Sequence, residues 1–186
     1  MIKQLTFITG NPGKVAQIKR YLNFPIKHVD IDLDEIQSLE VEEIVKHKAE
    51  QAFNHVQKPI FVEDNVLVCH ALGKLPGTFI KWFIKEIGND GICKMLQPFK
   101  DRSATAIVCV GLYDGNNFYS FKGLNEGSIA EKPSGTNGFG WDQIFIPKGY
   151  NLTRANMNEQ DYDATSPRKK ALDQLAEFLK TGGKNE

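Results

Sequence analysis

The 186-residue chain carries 23 basic and 23 acidic side chains, so no overall charge draws it toward nucleic acid or an anionic membrane, and any anion binding must come from locally placed lysines. The length suits a single domain, residues 1–186, whose core needs no disulfide or metal to close it. Cys69, Cys93 and Cys109 stand singly in apolar runs, which reads as core thiols in a reducing compartment. With no signal-peptide-like start and no run near the roughly 20 apolar residues of a membrane span, the expected location is the cytoplasm.

LTFIT (5–9) reads as a strand running into a glycine, and Val15, Ile18 and Leu22 then recur at helical spacing until Phe24-Pro25. KHVDIDL (27–33) alternates as a second strand. Val41, Ile44, Val45, Lys48, Ala49 and Ala52 mark one face of the next helix, with Glu40, Glu42 and Glu43 near its positive end. PIFVEDNVLVC (59–69) is a β-branched run interrupted by two acids, LGKLPG a loop, and TFIKWFIKEIG a helix. The stretch from Ser103 to Gly123 reads as two long strands joined at Asp114-Gly115, followed by short strands at GSIA and DQIFIP. A last helix starts at Ser166-Pro167 and stops at Gly182-Gly183, leaving KNE as a frayed tail. Alternating β and α segments followed by a hairpin predict an α/β fold with a mixed sheet and flanking helices.

Three stretches and two lysines on helix faces could carry chemistry. TGNPGK (9–14) delivers backbone N–H groups, a helix N-terminus and a lysine to one place, which suits a polyphosphate. It is equally an ordinary βα turn in which Asn11 caps the helix, Pro12 takes the first position and Lys14 is solvated. It is not a nucleotide-binding P-loop, because the spacer is two residues short and Val15 replaces the magnesium-binding hydroxyl. In VEDN (62–65), Glu63 and Asp64 interrupt a strand that should be buried, and since neighbouring strand residues face opposite sides, only one can readily face a given site.

NGFGWDQIF (137–145) can present a stacking face and an acceptor to a planar heterocycle, or it is a tight turn anchored by aromatic core residues. Lys48 and Lys81 sit on apolar helix faces, where they either snorkel to the edge or reach into a site. The four histidines form no ligand-spaced set.

Taken in order over nearly the whole chain, these stretches resemble the inosine triphosphate pyrophosphatase family, house-cleaning enzymes for non-canonical purine nucleoside triphosphates. TGNPGK is similar to the family's T-G-N-x-x-K, VEDN to its E-D-[ST], FGWD to its F-G-[YW]-D and SPRKKAL to its S-H-R with a following helix. The resemblance implies a long mixed sheet in two lobes around a central cleft, a homodimer, Mg²⁺ as cofactor, and attack of water on the α-phosphorus to give the monophosphate and diphosphate. It also implies roles. Thr9, Gly10, Asn11, Lys14 and Lys48 would hold the phosphates, and Glu35 and Asp64 the metal, with Asp64 also orienting or deprotonating the water. Asn65 and Lys81 would contact substrate. Phe139, Gly140, Trp141 and Asp142 would form the base pocket, closed by Ser166 and Arg168.

The departures from the family pattern cluster at the base end. Pro167 replaces a histidine and lacks an N–H, and Tyr162 stands where the family has a base-contacting lysine. Asn65, Val66 and Gln143 are further changes. The phosphate and metal end is kept while the segment that reads a 6-oxo group is rebuilt, so the expected enzyme has a base preference different from inosine or xanthosine. A nucleotide sensor without turnover is the alternative, disfavoured by the presence of both Glu35 and Asp64. A nucleic-acid binder lacks the basic excess it would need.

Overall fold

The computed structural model describes residues 2–182. The expected stop at Gly183 and the KNE tail lie outside them. Among the described residues seven strands form one sheet in the order β2 (Ile26–Val29), β1 (Leu5–Ile8), β3 (Ile60–Cys69), β5 (Ser103–Tyr113), β6 (Phe118–Ile129), β7 (Phe145–Pro147), with β4 (Pro76–Gly77) pairing β3, and the chain divides into two compact units. One takes residues up to 64, 108–123 and those from 168 on. The other takes 65–107 and 124–167.

In the first unit, β1 (Leu5–Ile8) is fully buried and pairs in parallel with β2 (Ile26–Val29) and with β3 (Ile60–Cys69). Between β1 and β2 runs α1 (Pro12–Tyr21), begun by Asn11, whose side chain accepts from the amides of Gly13 and Lys14, and by a proline at the start where no N–H is needed. The apolar face of α2 (Val41–Val56) is the one read from the sequence: Val41, Ile44, Val45, Ala49 and Ala52 are buried. Leu5, Phe7, Phe61, Val108, Val110 and Leu112 pack with Ile18 of α1, with Leu22 just after it, and with Ala171, Leu172 and Leu175 of α5 (Pro167–Thr181), and Phe7 stacks on Phe61. The second strand is shorter than its alternation suggested, ending at Val29, and residues 30–39 have no regular structure.

In the second unit, Leu67, Cys69, Ile80, Ile92, Cys93, Leu96, Trp141, Ile144 and Phe145 form a separate core. The loop after β3 folds back as β4 (Pro76–Gly77), antiparallel to Leu67 and Val68. The following helix, α3 (Ile80–Met95), runs past the stretch that announced it and breaks direction at Gly88, whose φ of 67° a residue with a side chain rarely adopts. Of the two long strands, β5 (Ser103–Tyr113) ends at the expected turn, where Asp114 accepts from the amides of Asn116 and Asn117. The segment GSIA is no separate strand. It is the end of β6 (Phe118–Ile129), which pairs antiparallel with β7 (Phe145–Pro147). A short helix, α4 (Glu159–Ala164), capped by Asn158, was not read from the sequence. Among the described residues no helix is long and apolar enough to cross a membrane.

Candidate active site

Glu63 and Asp64 leave β3 on opposite faces, and each gathers its own cluster in the first unit. Glu63 is 3 % exposed and meets Arg168 as a two-pronged pair, Nε and Nη2 donating to its two oxygens at 2.8 Å each, while Lys14 Nζ lies 3.2 Å from Oε1. Arg168 Nη1 donates to Gln17 of α1. Burial pushes this carboxyl up, but the charges and hydrogen bonds of Arg168 and Lys14 outweigh it and hold the carboxyl down at about 2. Two cations share this one carboxylate.

The other face has the reverse balance. Lys48 Nζ stands 3.2 Å from Glu35 Oε1 and 3.5 Å from Asp64 Oδ2, so two carboxylates share one cation. Burial works to lower the Lys48 pKa, yet the attraction of Asp64 and Glu35 prevails and raises it, keeping the ammonium charged. Lys48 therefore faces acids rather than snorkelling into solvent. Both acids are partly solvated, and two hard oxygen donors fit a magnesium ion that keeps several waters better than a cage made wholly by protein. Among the described residues no group of three or more His, Cys, Asp and Glu is placed to hold a metal, so protein ligation would rest on this pair.

The loop before α1 is built around its own side chains. Asn11 N donates to Thr9 Oγ1 at 3.1 Å, and Gly13 N and Lys14 N both donate to Asn11 Oδ1. His28 Nε2 lies 2.7 Å from the Thr9 carbonyl, and a side chain at Gly10 would press on the Asp30 carboxylate. With the cap amides already bonded, what this loop presents to an anion is mainly Lys14. That lysine is paired with Glu63 and mostly buried, so it is not the solvated one of the plain turn reading.

In the second unit, FGWD is a 3₁₀ turn. Trp141 is buried in the core against Phe145, so the aromatic-anchor reading describes it, while Phe139 is half-buried beside it. Gly138 has a φ of 74°, and any side chain there would collide with the Asp142 carboxylate, which is why the turn carries glycine. Asp142 accepts from Phe139 N and from the Tyr162 hydroxyl, both at 2.9 Å on Oδ2, and from Arg154 Nε at 2.8 Å on Oδ1. Gln143 accepts from Asn89 and donates to the Gly135 carbonyl, and Asn89 also donates to the Gly140 carbonyl, bracing the turn from α3.

A model of the Ham1 family matches residues 5–178. The chain belongs to this family. Among its relatives it is 41 % identical to the inosine triphosphate pyrophosphatase of Yarrowia lipolytica over 94 % of this chain and 95 % of that one. It is 38 % identical to the enzyme of the same name from Scheffersomyces stipitis, over 94 % of this chain and 97 % of the relative. Of solved structures, a HAM1 protein from Coxiella burnetii superposes with a TM-score of 0.85 at 27 % identity, over 97 % of this chain and all of that one. The resemblance read from the motifs is thus borne out, as is the mixed α/β architecture of this Ham1 chain.

The first unit brings together Lys14 and, separately, Glu35, Lys48 and Asp64. Thr9, Gly10 and Asn11 form the loop leading into Lys14. Arg168, assigned by resemblance to the base pocket, has its guanidinium on Glu63 and Gln17. In the second unit Phe139, Gly140, Trp141, Asp142 and Tyr162 lie together. Ser166 is buried just before α5, Asn65 is half-buried on β3, and Lys81 is exposed with its ammonium 5.4 Å from the Trp82 ring centre. Sequence reading missed Glu63 as the buried partner, and it missed Arg154, Gln17 and Asn89 altogether. The one available signal was the strand alternation, which assigned the two acids to different faces without saying which was which.

Proposed function

We propose that this Ham1 chain is a nucleoside triphosphate pyrophosphohydrolase, converting a triphosphate and water to the monophosphate and diphosphate. It acts on non-canonical purine nucleotides of the ITP, dITP and XTP kind, with a base preference shifted by the changes at residues 162 and 167. The observation that carries it is the pair of oppositely charged clusters set by Glu63 and Asp64, in a family whose relatives bear the name of this activity. Two cations on one carboxylate suit a polyphosphate, and two carboxylates on one cation suit the metal that accompanies it.

Glu35 and Asp64 would hold Mg²⁺, which when bound neutralises charge on the phosphates. Lys14 offers its ammonium to the phosphate chain, and Glu63 with Arg168 fixes that lysine in place. Lys48 offers a second positive charge beside the two acids. The Asp64 carboxylate orients the attacking water and takes its proton as the new P–O bond forms at the α-phosphorus and the bridging bond to the diphosphate breaks. Within the same reading the protein is a homodimer, an expectation that rests on the family likeness alone, and cytoplasmic, which rests on its single cysteines and composition.

Diphosphate release with Mg²⁺, followed for ITP, XTP, dUTP, ATP and GTP, is the test. Asp64→Asn should lose about 10²- to 10⁴-fold in turnover, the range for a positioned general base. Unchanged turnover in that variant refutes the assignment. Hydrolysis confined to ITP and XTP refutes the shifted preference.

A further inference from the structure

Arg154 is 2 % exposed, yet it ties together three points of the second unit. Its Nε donates to Asp142 Oδ1, and its Nη1 donates to the Tyr162 carbonyl at 3.1 Å and to Thr165 Oγ1 at 2.7 Å. The guanidinium carbon also lies 4.0 Å from the centre of the Tyr162 ring, stacked as a cation on a π face. Thr165 in turn donates to the Asp161 carbonyl at 2.8 Å, so its single proton is committed and it can only accept from Arg154.

This arrangement fixes the direction of one hydrogen bond. Asp142 is paired with Arg154 and accepts from the Phe139 amide, so every group around its carboxylate is a donor and it has no proton to give. In the 2.9 Å contact between Tyr162 Oη and Asp142 Oδ2, the phenol must therefore supply the hydrogen. A tyrosine hydroxyl has one hydrogen. With that hydrogen held by Asp142 and the ring pinned under Arg154, the phenol oxygen can meet another molecule only as an acceptor.

We infer that Tyr162 reads the nucleobase as a hydrogen-bond acceptor, with Arg154 and Asp142 as the positioning residues that set its polarity. The inference rests on the pyrophosphatase reading for its ligand. It names the chemistry of the base that fits: an edge that presents an N–H. Two base types do so, the ring N1–H of a 6-oxopurine and the exocyclic amino group of a 6-aminopurine, whereas unsubstituted purine presents neither. Pro167, which has no N–H, adds no donor for a 6-oxo oxygen through its backbone. A base is held here by what it donates.

The experiment compares kcat/KM for ITP, ATP and purine riboside triphosphate in the native protein, Tyr162→Phe, Arg154→Met and Arg154→Lys, with thermal unfolding followed in each. The decisive quantity is the ratio of a donor-bearing base to unsubstituted purine. Tyr162→Phe should lower that ratio by about tenfold, the worth of one hydrogen bond at the upper end of the usual neutral range. The base whose ratio falls, ITP or ATP, identifies the donor. Arg154→Met should lower the same ratio, and Arg154→Lys, which keeps a charge toward Asp142, should restore part of it. A ratio unchanged in a folded Tyr162→Phe overturns the inference, and a uniform fall for all three bases in Arg154→Met reduces Arg154 to a structural support. If none of the triphosphates is cleaved, the pyrophosphatase reading falls by itself. The same ratio, measured as calorimetric affinities for α,β-methylene analogues of the three, then decides the acceptor role.

Discussion

Each unit of the molecule buries one arginine against one carboxylate, Arg168 with Glu63 in the first and Arg154 with Asp142 in the second, and the two pairs are completed in different ways. Around Glu63 the extra partner is a second cation, Lys14. Around Asp142 the extra partners are neutral donors, a backbone amide and a phenol. The first sets two cations on one carboxylate, which an anion can use. The second is balanced, so what it contributes is orientation of the Phe139 turn and the Tyr162 ring. The same ion pair thus serves attraction in one place and geometry in the other, according to the charge of what surrounds it.

The largest expected effect comes from removing the carboxylate that holds the cationic cluster together. Glu63→Gln removes the carboxylate that Arg168 and Lys14 share, and breaking a buried pair from one side costs about 3–5 kcal/mol. Urea unfolding at neutral pH checks it, and a loss below about 1 kcal/mol would mean that the cluster is not held by this pair. The pH dependence sharpens the same point. The folded-state pKa of Glu63 is depressed to about 2 from 4.5, so its stabilisation is present above pH 4.5 and lost as pH falls toward 2. Native protein should lose stability across that window, and Glu63→Gln should lack this part of the slope.

Lys48 is the next test, because one cation there meets two acids. Lys48→Met leaves Glu35 and Asp64 with no shared cation, and KM for the triphosphate should rise about tenfold while Mg²⁺ binds more tightly in a calorimetric titration without nucleotide. Weaker Mg²⁺ binding in the variant would break the assignment of these two acids to the metal. The contribution of Lys48 to stability also has a sign: its pKa is raised above 10.5, so its pairing is intact up to that pH and is lost only above the raised value.

How legible the two regions were in the sequence follows from the same difference. The first unit's parts are short contiguous motifs. TGNPGK announced a strand end bearing charge, VEDN announced two acids inside a strand, and the apolar stripe of α2 marked Lys48 as out of place. Periodicity could not say that Glu63 was the acid paired with Arg168, because that contact joins residues 105 positions apart. In the second unit, FGWD was visible as a turn, but Arg154 lies in NLTRANMNEQ with no motif around it, and an arginine there reads as a solvated loop residue until the fold buries it. The short helix α4, which carries Tyr162, escaped for a related reason: its six residues include no buried position, so no apolar period marks it.

The smallest effect expected is at Asn11, and it separates two ways the first unit could hold an anion. The amides of Gly13 and Lys14 are bonded to Asn11 Oδ1, so a phosphate that used them would have to displace that side chain. Asn11→Ala removes the competitor and the cap together, and loss of an N-cap costs about 1 kcal/mol of stability. If the amides grip the phosphate, the variant should bind triphosphate more tightly despite its lower stability, since the displacement is no longer needed. The pairing of Lys14 with Glu63 points the other way: the ammonium is held in place by β3 and α5 rather than by the loop, so KM should stay within about twofold of native while the unfolding midpoint falls. A KM lowered tenfold would move the work of binding from the lysine to the helix terminus, and the contrast between a charged unit and a balanced one would then rest on the Lys48 side alone.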